Sequence, residues 1–221
     1  MKRRTLLIFV VVSLMSWALV GCGLFGSKGE KSAQELAADG VEAFERGKYR
    51  DALESFQQLK DWYPFSKFAI LADLKIADSH YYLEEYLDAV FAYEEFENLH
   101  PRNEAIPYVI YQIGRCYFEQ IDSIDRDQAN TRKALESFSR LRQRFPENEY
   151  ALRAQEHITE CLKQLAGHDL YVGRFYFKQE RYRAAKVRLE RVINEYPDLG
   201  YNEEARELLK KSEAELAKAA D

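Results

Sequence analysis

The sequence predicts an all-α fold, a superhelix of about nine helices built by repeating one helix pair. Three observations carry that prediction. Four of the five prolines, Pro64, Pro101, Pro146 and Pro197, each stand 12 residues after an alanine: Ala52, Ala89, Ala134 and Ala185. Four residues after each alanine comes a large side chain, Phe56, Tyr93, Phe138 or Leu189, on the same helical face. No strand-like alternation is present, and no Asn-Gly or Asp-Gly hairpin signal sits between alternating runs.

Small residues complete the unit. Gly40, Ala77 and Gly173 precede their alanines by 12 residues, and Gly114 precedes Ala134 by 20. Small residue, aromatic, alanine, bulky residue and terminal proline, in that order, is the pattern of the tetratricopeptide (TPR) repeat. Small residues let helix A approach helix B, the bulky ones fill the gap, and proline stops helix B. A plain bundle with chance prolines would not fall into register four times.

The elements follow in order. Lys2, Arg3 and Arg4 open the chain, and an apolar run from Leu6 to Val20 covers 15 residues, short of the roughly 20 that cross a bilayer as a helix. Residues 1–21 therefore read as a signal peptide. The run ends in Leu19-Val20-Gly21-Cys22, similar to the lipobox of bacterial lipoproteins, so Cys22 is expected to carry N-acyl and S-diacylglycerol groups and to hold the protein on a membrane. Gly23 after that cysteine, in place of Asp, matches lipoproteins sent to the outer membrane of a Gram-negative cell. Small and polar residues make 22–32 a tether.

Repeats are then expected over about 33–66, 70–103, 107–148 and 166–199, with a capping helix at 203–219 that turns Ala205, Leu208, Leu209 and Leu216 inward. The third repeat arrives eight residues late and the fourth fourteen. The eight fall at 120–131, a polar stretch read as a loop that can protrude. The fourteen fall after Pro146, where the apolar period of Tyr150 to Leu165 continues as one long helix, with or without a break at Gly167, into Tyr171 to Phe177.

Chemistry-bearing motifs are absent: no Gly-rich phosphate loop, His-Glu-x-x-His, Cys-x-x-Cys or Gly-x-Ser-x-Gly. His80, His100, His157 and His168 are scattered, and His80 occupies a packing position. No enzyme and no cofactor is expected. Cys116 and Cys161 could pair in an oxidising compartment or remain buried thiols, and spacing does not choose.

Binding has more support. Helix A lines the inside of such a superhelix. Registering on the alanines places Leu71, Leu74, Asp78 and Tyr81, then Tyr108, Tyr111, Arg115 and Phe118, then Leu170, Arg174 and Phe177, at groove positions. Rings interleaved with two arginines suit an extended peptide with apolar side chains and a carboxylate; each ring could equally pack between repeats. Without its first 21 residues the chain has 29 bases and 37 acids, a net charge of −8, which excludes a generic nucleic-acid binder. The whole excess lies in residues 22–100, with 8 bases and 16 acids. Arg174 to Arg191 holds seven bases and two acids, while Glu84 to Leu99 holds six acids and no base, two faces able to steer different partners.

The lipobox, Tyr63-Pro64-Phe65, His100-Pro101, Ile106-Pro107-Tyr108-Val109, Tyr111 with Gly114, the Asp125-Arg126-Asp127 loop and Tyr150-Ala151 resemble the BamD (YfiO) family of outer-membrane assembly lipoproteins over essentially the mature chain. The resemblance implies a lipid-anchored subunit of the β-barrel assembly machinery at the periplasmic face of the outer membrane. Its implied partners are the BamA periplasmic domains, bound through C-terminal repeats, other lipoproteins of the complex, and unfolded outer-membrane proteins, recognised through N-terminal repeats. Such clients end in an aromatic residue and a free carboxylate, in agreement with the groove, and Asp125, Arg126 and Asp127 would form a partner loop. The chain ends at Asp221, sooner than the best-known members, so the resemblance does not extend to contacts made through a longer C-terminus. Another TPR lipoprotein of envelope assembly, such as a secretin pilotin, would share anchor and fold but not the Ile-Pro-Tyr and Asp-Arg-Asp elements.

Overall fold

The computed structural model describes residues 30–219. Cys22, the signal peptide and the tether up to residue 29 lie outside them. Among the described residues nine helices form and no strand: α1 (Ala33–Glu45), α2 (Tyr49–Trp62), α3 (Ala69–Tyr82), α4 (Tyr86–Leu99), α5 (Ile106–Phe118), α6 (Ala129–Arg144), α7 (Glu149–Lys178), α8 (Tyr182–Asn194) and α9 (Asn202–Lys218). Each packs on its chain neighbours, and beyond those α5 meets α7 and α7 meets α9. This is the expected all-α TPR superhelix, with α1, α3, α5 and the second half of α7 as A helices.

The small-to-large pairing is literal. A Cβ on Gly40 would lie 2.8 Å from the Phe56 ring, one on Gly114 2.6 Å from Phe138, and one on Gly173 2.9 Å from Leu189. Ala52, Ala77, Ala89, Ala134 and Ala185 are all fully buried. Three cores result, one around Phe56, one running from Ala77 to Cys161, and one around Leu170 and Leu189.

Turn chemistry repeats as well. The A-to-B turns carry left-handed residues at one shared position, Gly47 (φ 72), Glu84 (φ 61) and Glu180 (φ 58). In each, the next N–H reaches a carbonyl five residues back: Lys48 to Ala43, Glu85 to His80 and Arg181 to Tyr176, all within 3.0 Å. That closure satisfies the helix-end carbonyls, at a steric cost for the two glutamates. Before the prolines, Tyr63, His100 and Phe145 leave the helical region at φ −134, −126 and −137, as a residue preceding proline must. At the N-terminus the Ser32 hydroxyl accepts from the Glu35 N–H while the Glu35 carboxylate accepts from the Ser32 N–H, a capping box.

The structure sharpens two expectations and corrects a third. The loop at 120–131 keeps Asp122, Ser123 and Asp125 to Asp127 exposed but is fastened to its surroundings. Its last three residues belong to α6, and Gln128, 1% exposed, donates to the Ser123 and Arg126 carbonyls at 3.0 Å. From α7, Gln164 donates to the Asp122 carbonyl and His168 Nδ1 bonds the Ile124 carbonyl; buried polar groups need such partners, and they draw the loop inward. Second, α7 runs unbroken through Gly167, whose bare Cα makes room for Tyr201 and Ile124. Third, α9 buries Ala205 and Ser212, with Leu208 and Leu209 half-buried against the last core, whereas Leu216 is not part of that core. The Ser212 hydroxyl escapes an unpaired state by donating to the Leu208 carbonyl.

Candidate functional site

Most rings expected in the groove fill the gaps between adjacent A helices. Between α3 and α5 sits Asp78, only 2% exposed, which lines no groove. Its carboxylate accepts from the Tyr93 hydroxyl at 2.7 Å, the Tyr108 hydroxyl at 2.8 Å and Lys75 Nζ at 2.8 Å. A carboxylate leaves water only when paired in this way. Burial first, and the Asp78 charge second, push the Tyr93 and Tyr108 hydroxyls far above their ordinary pKa. Leu74 and Tyr81 are half-buried against the same core.

Between α5 and α7 the ring of Tyr111, 8% exposed, is likewise a core group. It contacts Phe138, Tyr150 and His157, and its hydroxyl lies 3.1 Å from His157 Nε2. Phe118 meets His157 edge-on at 4.6 Å, and His157 stacks on Phe138. Burial, then the nearby Arg115 charge, lower the His157 pKa. In the last repeat Leu170 is buried and Phe177 meets Tyr182 edge-on.

Neither arginine presents a free guanidinium. Arg115 is bonded to Glu119 four residues on and lies near the Tyr81 ring. Arg174 is held by both carboxylate oxygens of Glu204 on α9. In the loop, Asp127 Oδ1 accepts from the Ala129 N–H at 2.7 Å, and Asp125 accepts from the Ser123 hydroxyl, which holds its carboxyl below the usual range. Arg126 is exposed between them.

One gap between A helices stays open. Between α1 and α3 lies a trough of about 410 Å³, floored by Ala37, Ala38, Val41, Phe68 and Leu71 and rimmed by Glu42 and Glu45. Size is part of the reason: in the register of the repeats Ala37 stands where Leu74, Tyr111 and Leu170 follow, and Val41 where the longer Asp78, Arg115 and Arg174 follow. The register that gave Leu71 also finds this trough when carried back to the first repeat, where Gly40 in place of Ala77 yields Gln34, Ala37 and Val41.

A second open surface lies at the other end. Of the basic run, Arg188 and Arg191 hold the buried Asp169 at 2.7 and 3.4 Å, joined by the Tyr196 hydroxyl at 3.0 Å, and Lys186 reaches Glu213. The expected basic face is thus largely neutralised from within. Arg181 and Arg183 have no ion pair among the described residues and line a cleft of about 900 Å³ between the α7–α8 turn and the end of α9. The acidic run is thinned similarly: Glu85 meets Arg50, Glu95 meets Lys60, and Glu97 meets Arg140 and Arg144.

Among the described residues, His80, Glu85 and Asp88 group their ligand atoms within 4.8 Å of one another. Both Glu85 oxygens are already engaged, one by His80 Nδ1 and one by Arg50 Nη2, so the group reads as an ion-pair network. Cys116 and Cys161 are free buried thiols whose pKa burial pushes up to about 12. Among the described residues no helix is long and apolar enough to cross a membrane.

The family model described as YfiO, outer membrane lipoprotein, matches residues 29–220. The chain belongs to this family. Relatives include proteins named outer membrane protein assembly factor BamD from Caulobacter vibrioides, 32% identical over 80% of this chain and 58% of that one, and from Rickettsia prowazekii, 30% identical over 87% and 79%. The Neisseria meningitidis relative of the same name is 29% identical over 85% of this chain and 74% of its own. The chain therefore spans under two thirds of the Caulobacter protein and about three quarters of the other two.

Proposed function

We propose that this family member is a non-catalytic scaffold of outer-membrane protein assembly. Acyl chains on Cys22 hold it at the periplasmic face of the outer membrane, the trough takes apolar side chains of unfolded outer-membrane proteins, and the opposite end docks the BamA periplasmic domains. The names of the relatives support the process. The single observation that carries the client role is the open apolar trough between α1 and α3, floored by Ala37, Ala38, Val41, Phe68 and Leu71.

Geometry refines how a client would be held. A client carboxylate at Arg115 or Arg174 would have to displace Glu119 or Glu204, exchanging one exposed ion pair for another at little net gain. Apolar contacts in the trough therefore supply most of the affinity. Docking falls to the α7–α8 turn, where Arg181 and Arg183 can meet an acidic partner surface. Arg126, exposed in the loop fastened to the middle of α7, offers a separate contact in the family's partner loop.

The test uses the mature chain and a fluorescent peptide ending in an aromatic residue and a free carboxylate. Val41→Asp places a charge on the trough floor and is expected to weaken binding about tenfold, the equivalent of one lost Val-sized apolar contact. Equal affinity for the variant, with helical circular dichroism intact, would remove the trough from the mechanism.

A further inference from the structure

We infer that the turn between α2 and α3 is a membrane-contacting element, seating Trp62, Phe65 and Ile70 in the interfacial layer of the bilayer that holds the Cys22 anchor. The inference rests on the proposed anchoring and adds a second, non-covalent contact to it.

Phe65 is 100% exposed, Trp62 51% and Ile70 44%, three large apolar side chains within nine residues. Turns at protein surfaces are normally polar, and the corresponding positions one repeat later show it: counted from the repeat alanine, Trp62 corresponds to Leu99 but Phe65 corresponds to Arg102. None of the three lines the trough, whose wall at this turn is Phe68. A client in the trough would thus leave them bare.

Position decides what covers them. The Tyr63 hydroxyl donates to the Lys31 carbonyl at 3.0 Å, so the chain coming from Cys22 arrives at this very turn. Lys31 follows Cys22 by nine residues, a reach of at most about 30 Å. Lipid insertion at Cys22 therefore holds Trp62 and Phe65 within one tether length of the bilayer, at an effective concentration that makes even weak partitioning count. Trp is the residue type most favoured at the headgroup boundary. Charge contributes little: Lys31 is bonded to Asp39 and Lys60 to Asp73 and Glu95, while Asp61 and Lys67 offset each other. Apolar burial drives the contact.

The sequence supplies the probe. Of two tryptophans, Trp17 lies in the signal peptide, so the mature chain reports through Trp62 alone. Cys116 and Cys161 are buried, which leaves Cys22 as the reactive thiol. The mature chain is coupled through Cys22 to a thiol-reactive lipid in phosphatidylethanolamine/phosphatidylglycerol vesicles, and Trp62 emission is read with quenchers placed at shallow depth. A blue shift and shallow quenching are expected. Phe65→Ser should abolish most of the shift and lower vesicle partitioning of the uncoupled chain about tenfold. Unchanged emission on coupling overturns the inference, as does an emission change caused by an aromatic-ended peptide without vesicles, which would make the turn a peptide contact. Because the anchor is supplied chemically, these outcomes do not depend on acylation of Cys22 in the cell, which mass spectrometry of the native protein reports separately.

Discussion

Gly114→Ala is a stringent probe of the repeat architecture. The new Cβ would lie 2.6 Å from Phe138 Cε1 and 2.7 Å from Cδ1, against about 3.5–4.0 Å for ordinary carbon contact. The ring would have to move by about 1 Å to restore that spacing. It has nowhere to go, being fully buried, stacked on His157 at 5.0 Å and packed against Tyr111 and Phe118. Overpacking of this kind costs about 1–3 kcal/mol, and removing a glycine from a helix interior returns about 1 kcal/mol. Because the ring is confined on every side the cost falls in the upper half of that range, about 2–3 kcal/mol, so a net loss of about 1–2 kcal/mol is expected in urea unfolding followed by circular dichroism. Phe138→Leu added to Gly114→Ala should recover part of it, since the two residues share one gap. Gly167→Ala is the control: its neighbours, the Tyr201 hydroxyl at 3.1 Å and Ile124 Cγ2 at 3.3 Å, need yield only a few tenths of an ångström, so the same helix gain should leave this variant at or above wild-type stability. Wild-type stability in Gly114→Ala, or strict additivity with Phe138→Leu, would refute the close-approach argument.

Four further outcomes follow. Glu84→Gly and Glu180→Gly relieve left-handed strain at φ 61 and 58 and should each raise stability by about 0.5–1 kcal/mol, seen as a higher urea midpoint. Asp78→Asn weakens three bonds that tie repeats two and three and should cost about 1–3 kcal/mol, with non-additivity against Tyr108→Phe as its signature. His157 has its pKa lowered in the folded state by burial, so its contribution is complete above the ordinary imidazole value of about 6.5 and is lost as pH falls below it; His157→Phe should show a smaller melting-temperature drop between pH 7.5 and pH 5 than wild type. With thiol pKa values pushed up to about 12, Cys116 and Cys161 should resist a thiol reagent at neutral pH until the chain is unfolded.

The helical plan was legible because it is written in sizes and stops. Gly40 with Phe56, Gly114 with Phe138, and the residues before three prolines each dictate one contact or one helix end, and the structure places all of them accordingly. The site was legible in part. Position along helix A says that Tyr108 or Tyr111 points toward the next repeat, but not whether the neighbouring helix is close enough to cover it. That depends on the facing residue, Asp78 in one case and His157 in the other. The trough was hidden for the converse reason: alanine and valine at positions 37 and 41 carry no chemistry to notice, and only the spacing of α1 and α3 makes their smallness an opening. The pairing of Arg174 was not legible along the chain, since Glu204 reaches it from 30 residues away. The loop itself was legible but its fastening was not, because Gln128, a surface residue by type, is the buried group that ties it down.

The client-binding role of the trough is tested most directly by site-specific photo-crosslinking in growing cells, with the crosslinker placed at Val41 in one strain and at the exposed Leu152 in another. Adducts to newly exported outer-membrane proteins at Val41, far exceeding those at Leu152, are the predicted result. Equal yields at the two positions, or client adducts at Leu152 with none at Val41, would contradict it.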